Sequence, residues 1–353
     1  CQETLAFAVK KYFLFLFFIQ WVGLSLSLVA EPVFSQQPAS PKARVVIVHD
    51  AEATEFFVAR PEKIPGLIQR GLLHLTGKTN EMLAWKDLVS TNDIIGIKVC
   101  AAPGANSGTR PAVVSAVVQS LLQAGFSAKK IIVWDKNLTD LRLAGFFDLA
   151  ERFKIRVAAS AAAGYDENSF YESALLGNLV WGDLEFGKKG ENIGRKSFVS
   201  KLVTREITKI INITPLLNHN FAAVTGNLFS LALGSVDNTI RFEAPSERLA
   251  TAVPEIYAMP ELSDRVALNI TDALICQYQG EQRSLLHYSA PLNELWFSKD
   301  AVALDVLAIK ELDHQRRLAQ IPSLKMGQEL YHNASLLELG VSDLKNILVE
   351  RIP

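Results

Sequence analysis

One stretch constrains the fold of this chain more than any other: Asp93 to Asp135, DIIGIKVCAAPGANSGTRPAVVSAVVQSLLQAGFSAKKIIVWD. Ile94 to Val99 is an almost unbroken apolar run, the pattern of a strand covered on both faces in a parallel sheet. Pro111 suits a first helical turn, where its missing N–H is an orphan donor in any case. Val113, Val114, Val117, Val118, Leu121 and Leu122 then recur at helical spacing, and Gly125 is placed to close the helix in a left-handed conformation. Ile131 to Trp134 returns as a strand with Asp135 at its carboxyl end. The whole reads as one βαβ unit with a right-handed crossover.

The same alternation continues on both sides. Arg44 to His49 reads as a first buried strand ending in His49-Asp50, and Pro61 to Leu75 as a helix. Leu138 to Leu149 is helical with Gly145 interrupting it, and Ile155 to Ala158 is a short strand. Residues 164–194 are polar, glycine-bearing and aromatic, an irregular insertion of loops and a hairpin. Ile207 to Thr214 is a strand stopped by Pro215, and Phe221 to Leu233 a small-residue helix packed tightly on its neighbours. Pro245 to Tyr257 is an amphipathic helix. Arg265 to Ile270 is a strand leading to Thr271-Asp272, followed by a strand at Leu295 to Ser298 and a helix at Lys299 to Leu312. The tail, Ser335 to Ile352, holds a short helix and a last strand. The expected class is α/β: a mostly parallel sheet with helices on both faces, in one domain over residues 44–353.

The N-terminus has a different character. Lys10 and Lys11 precede the apolar run Tyr12 to Ala30, and Val33-Phe34-Ser35 offers a cleavage site before Gln36. That is the tripartite pattern of a secretory signal over residues 1–35, followed by a linker at 36–43. Retention of residues 12–30 as a membrane anchor is the alternative, since the run is long enough to span. The reading is therefore an exported protein, periplasmic or secreted, touching membrane only through that segment if it is uncleaved. With 49% hydrophobic residues and a formal net charge of −1, the chain has material for a large core and no basic surface for nucleic acid. Beyond the signal only Cys100 and Cys276 remain, and no CxxC cluster occurs, so no iron–sulfur cluster is expected.

In open parallel sheets ligands bind beyond the carboxyl ends of the strands. Here those ends carry His49 and Asp50, then Lys98, then Asp135 with Asn137, then His219, then Asp272. Each aspartate has a plain alternative as a turn former or helix cap. Lys98, inside IIGIKV, must pair, snorkel or face a cleft. The loop Ala101 to Arg110 runs into a helix start whose N–H groups and dipole favour an anion, with Arg110 as a bidentate donor. Candidate catalytic residues are thus Lys98, Asp135, His219 and Asp272, with Thr109, Arg110 and Asn220 as candidate substrate contacts. Ser298-Lys299-Asp300 reads as a cap for the helix that follows. The remaining histidines, His74, His287, His314 and His332, lack ligand spacing, so the sequence identifies no metal. Sequons at Asn212 and Asn269 fall on expected buried strands and read as accidental matches.

At these residues the chain resembles the family called domain of unknown function 362, from about Arg44 to the C-terminus. The resemblance is carried by IGIKV with Lys98, by TRPAVVSAVVQSLLQAG followed by IIVWD, and by the His219 segment running to Val224-Thr225-Gly226. It is carried further by Ile270-Thr271-Asp272-Ala273 and by Ser298-Lys299-Asp300 through Asp305. The family pattern has asparagine where Cys100 stands and lysines where Leu217 and Phe229 stand. Thr109-Arg110-Pro111 also has a fainter similarity to the N-terminal domain of lactate-racemase-like proteins, which implies that Arg110 would hold a substrate carboxylate. Those enzymes use a nickel-pincer nucleotide attached to a lysine; no residue here is matched to that lysine, and the cofactor stays unknown.

Taken together, these features lead to an expectation of a cleft at the carboxyl edge of the sheet, binding a small carboxylate or phosphate. Lys98, Asp135, His219 and Asp272 would supply proton transfer or metal ligation, with Lys98 brought towards neutrality by desolvation. A non-catalytic exported binding protein and a membrane-tethered scaffold are the alternatives.

Overall fold

Strands that carry apolar residues on both sides cannot lie at a surface, and those of this chain are sandwiched between two helical layers. The structure, a computed structural model, describes residues 42–173, 182, 184–323 and 327–353. The expected signal or anchor, most of the linker and part of the 164–194 insertion lie outside these. Residues Ser40–Pro353 form one compact unit.

Eight strands make one continuous ladder. They are β1 (Ala43–His49), β2 (Ile95–Val99), β3 (Ile131–Asp135), β4 (Arg156–Ala159), β5 (Lys209–His219), β6 (Val266–Gln277), β7 (Ser289–Ser298) and β8 (Ile347–Ile352). Their order across the sheet is β8-β1-β7-β6-β5-β2-β3-β4, and a two-residue strand, Ala223–Val224, folds back on β5. Along this ladder β7 runs against its two neighbours, while every other adjacent pair is parallel. The class is therefore α/β with a mostly parallel sheet, as the sequence pattern implied.

Side-chain alternation divides the core in two. Ile95, Ile97, Val99, Ile131 and Val133 face helices α1 (Ile64–Thr76) and α2 (Pro111–Gln123). Ile132, Trp134 and Ile210 face the opposite layer of α3 (Asn227–Ser235), α4 (Ser246–Tyr257) and α5 (Ala301–Leu318). Because β2 alternates, Gly96 and Lys98 point to this second layer, so the one lysine in the strand is delivered beneath α3.

Several boundaries differ from the sequence reading, three of them close to the strand ends that matter here. β5 does not stop at Pro215 but runs through it to His219. Its pairing with β2 has already ended at Ile213, and its register with β6 shifts just after Asp272↔Pro215, so the missing proline N–H leaves no ladder bond unmade. β6 likewise passes Asp272 and continues to Gln277. The small-residue helix starts at Asn227, not Phe221, because the chain first turns at His219–Ala222. In the insertion, Tyr165–Glu172 pairs antiparallel with Lys196–Ser200, and Tyr171 and Val199 reach into the core instead of standing clear of it.

The start of α3 is held in trans. Asp305, on α5 and fully buried, accepts the backbone N–H groups of Asn227 at 2.7 Å and Leu228 at 3.0 Å, and the Asn227 amide at 2.9 Å. Burial pushes its carboxyl up to about 7 against these donors, which favour the charged form. The approach is so close that a Cβ on Gly226 would lie 2.4 Å from the carboxylate. Asp300 caps α5 itself through the Ala303 N–H at 2.8 Å, as its sequence context suggested. Replacing Asp305 by alanine strands two buried N–H groups and an amide, so urea unfolding should show a loss of about 2–4 kcal/mol. A loss below about 0.5 kcal/mol would show that the cap does not hold the helix.

Candidate functional site

Where β2, β3, β4 and β5 end, the chain leaves a cleft of about 820 Å³ between those strand ends and the α3 layer. Asp135, Lys136 and Asn137 enter it from the end of β3, Ala161 from just after β4 and His219 from β5. Ser230 and Gly234 enter from α3, and Thr239 and Glu243 from the segment after it. The carboxyl edge is thus where the cavity lies, as the parallel topology implies.

Lys98 forms the ground beneath it. The side chain is 1% exposed, and its three N–H donors go to Asp135 Oδ1 at 2.8 Å, the Val99 carbonyl at 2.7 Å and Ser230 Oγ at 3.1 Å. Its ammonium also stands over the Trp134 ring, 5.6 Å from the centroid. Asp135 spends its other oxygen on the Ala101 N–H at 2.7 Å. All of the lysine's donors are therefore engaged, and the geometry gives this pair a positioning role in place of the free base expected from the strand pattern. α3 can come this close because residue 234 is glycine: a Cβ there would lie 2.3 Å from Lys98 Cε and 2.8 Å from Nζ. A polar row continues sideways under the same helix, where Asn212 and Asn269 are fully buried and the Asn212 amide donates to the Asn227 carbonyl at 3.0 Å. Both asparagines are sealed from solvent, in keeping with an accidental sequon reading.

Thr109, Arg110 and Asp272 are brought together, but away from the cleft lining. The Arg110 guanidinium is 6% exposed and donates to Asp272 Oδ1 at 2.8 Å and the Ile275 carbonyl at 3.0 Å. The Arg110 N–H, at the start of α2, donates to Asp272 Oδ2 at 3.1 Å. That helix start does take an anion, and the anion is the chain's own carboxylate. Thr109 Oγ1 accepts from the Cys100 N–H at 2.9 Å and donates to the Ile213 carbonyl at 2.7 Å. These contacts tie the loop after β2 to β5 and β6, so a substrate carboxylate would have to displace Asp272 to reach Arg110. Asn220 is exposed and outside the lining, with its N–H on Glu281 at 2.7 Å. His49 is exposed, and Asp50 closes a local turn through the Glu52 N–H at 2.9 Å.

His219 does face the cleft, in a defined state. Its Nδ1 accepts from the backbone N–H groups of Phe221 at 3.2 Å and Ala222 at 3.0 Å. A neutral ring held this way carries its proton on Nε2, which is then a donor and neither a base nor a metal ligand. The ring packs on Phe229, centroids 4.4 Å apart. Burial draws its pKa below the ordinary histidine value, with Glu281 and Glu243 pulling the other way.

Lys136 was missed in the sequence, although it directly follows Asp135. Burial lowers its pKa from the usual lysine value, against Glu243, Asp237 and Asp135. Its ammonium donates to Thr239 Oγ1 at 2.8 Å, and that hydroxyl donates to Glu243 Oε1 at 2.5 Å. Thr239 and Glu243 lie in VDNTIRFE, which has no periodicity or motif to single them out. Both thiols, Cys100 and Cys276, are free and buried, and burial pushes each up to about 12. Among the described residues no group of three or more His, Cys, Asp or Glu is placed to hold a metal, and no helix is long and apolar enough to cross a membrane.

Two predictions follow the geometry directly. Gly234→Ala should break the Lys98–Asp135 contact by steric intrusion and lower the unfolding free energy by about 2 kcal/mol or more in chemical denaturation. A variant as stable as the parent would refute the close packing. For His219, a folded pKa below the unfolded value of 6.5 means that the neutral ring's contribution is complete above that pH. It is lost as the pH falls through the lowered folded pKa. The thermal midpoint should therefore drop on acidification below about 6.5, and His219→Asn, which keeps an acceptor for the turn, should flatten that drop.

No curated protein matches the chain. Among solved structures it is similar to the crystal structure of a protein from Thermotoga maritima, at 12% identity and a TM-score of 0.39, over 74% of this chain and 60% of that one. That score is too low to support any argument about function or fold. These comparisons do not confirm the fainter likeness of Thr109-Arg110-Pro111 to lactate-racemase-like proteins. The family model described as Domain of unknown function (DUF362) matches residues 95–310, from β2 into α5 and across the whole cleft lining, and the chain belongs to that family.

Proposed function

We propose that this is an exported protein that binds a small carboxylate or phosphate in the carboxyl-edge cleft and acts on it as an enzyme. The observation that carries the reading is the pair of donors on the cleft wall: Lys136 Nζ and the Nε2–H of His219. A buried lysine and a neutral histidine donor lining one cleft suit the oxygens of an anion, because hydrogen bonds to a charged acceptor strengthen where water is scarce. Arg110 is left to its buried carboxylate partner in this reading. Lys98 and Asp135 act through position, fixing β2, β3 and α3 so that the cleft keeps its shape. Export rests on the N-terminal sequence pattern alone.

The test is a thermal-shift and calorimetric screen of small carboxylates and phosphates against the purified protein. At least one should bind, and Lys136→Met or His219→Asn should weaken it by about tenfold or more while the unliganded protein still folds. Binding that is unchanged in both variants, or lost only on replacing Arg110, would overturn the assignment.

A further inference from the structure

The two lysines at the strand ends are treated in opposite ways. Lys98 has three partners, including a carboxylate at 2.8 Å, and does not line the cleft. Lys136 lines the cleft, and among the described residues its nitrogen has one hydrogen bond, to a hydroxyl, and no ion pair. Acidic groups stand near it, Glu243, Asp237 and Asp135, yet burial outweighs them and draws its pKa below the ordinary lysine value. Its one partner is the first member of a chain: Nζ to Thr239 Oγ1 at 2.8 Å, then Thr239 Oγ1 to Glu243 Oε1 at 2.5 Å. Thr239 is 3% exposed, so this chain is a fixed part of the wall. A lysine kept only to fill a charge requirement would be set against a carboxylate; this one is set against a proton relay, with the rest of its nitrogen turned to a cavity.

Building on the cleft reading above, we propose that Lys136 captures a carbonyl group as an imine, and that the ligand class is a small 2-oxo acid. The amine lone pair forms the new C–N bond while the carbonyl π bond opens onto its oxygen. The two amine protons pass in turn, through Thr239 and Glu243, to that oxygen, which leaves as water when the C=N bond forms. Atoms and electrons balance with no oxidant or reductant. The acid's carboxylate has the Nε2–H of His219, which lines the same cleft, as a donor. An imine so placed withdraws electrons from the neighbouring carbon, and that is the chemistry an amine in a water-poor cleft is suited to supply.

The experiment is reductive trapping of the whole protein with glyoxylate and, separately, pyruvate in the presence of sodium cyanoborohydride, followed by peptide mapping. The expected result is one adduct, on the peptide bearing Lys136, formed faster than on any surface lysine and absent from Lys136→Arg. Thr239→Val and Glu243→Gln should slow labelling by about tenfold or more with their melting temperatures intact. Labelling spread over surface lysines, or a Lys136 left unmodified by both acids, overturns the imine. The two readings separate cleanly: if pyruvate or lactate shifts the melting temperature through Lys136 and no adduct forms, the imine fails and the anion cleft stands. If no adduct forms and no small carboxylate or phosphate of the screen binds, both fail.

Discussion

A lysine ammonium taken out of water has to be met by acceptors or it will not stay charged and buried, and Lys98 is met by three. What supplies them explains much of the local architecture. Asp135 comes from the next strand, Ser230 from a helix more than a hundred residues further on, and Val99 from the same strand. The helix can reach the lysine only over Gly234, and its start is fixed by Asp305 from yet another helix. One buried charge thus sets the height of α3 above the sheet. Removing one partner of such a pair leaves the other uncompensated at a cost of about 3–5 kcal/mol, which is why the contact is structural before it is anything else. The cleft exists because α3 stands at that height and no lower.

Arg110 and Asp272 repeat the theme on the other side of β5. A helix start, a guanidinium and a threonine make a good anion site in isolation, and the chain fills that site with its own carboxylate. The consequence is a division of labour among charged residues at one edge of one sheet. Two cation–anion pairs shape the ground, with Asp135 of one of them reaching the lining; Lys136 and His219 face the cavity together with the carboxylates of Asp140, Asp237, Glu243 and Glu281.

Much of this was legible from residues alone. The βαβ unit, the cap at Asp300, the tight packing of the small-residue helix and the location of a cavity at the strand ends all follow from periodicity and local chemistry. Pro215 was misleading because a proline ends a strand only where its N–H is needed, and whether it is needed depends on where the neighbouring strand stops. Arg110 was misleading for a related reason: its partner is 162 residues away, and no local pattern announces it. Lys136 was overlooked because Asp135 already satisfied the expectation of a polar strand end. Thr239 and Glu243 carry no signal of their own and acquire meaning only through the lysine that points at them.

The order of the strands carries a consequence for how such a chain comes together. Among the described residues β1 is the first strand of the sheet, yet its neighbours are β7 and β8, with Val46 opposite Phe297 and Ala43 opposite Ile347. Every backbone group that β1 presents to the sheet waits for segments near the far end of the polypeptide. During synthesis β1 therefore has no native ladder to join until Glu294 to Phe297 have emerged, and its other side is paired only by Ile347–Ile352. Closing loops of that length is entropically slow. β1 therefore stays without its native neighbours until β7 and β8 have been made, a useful property for any polypeptide that must be threaded through a pore before it folds.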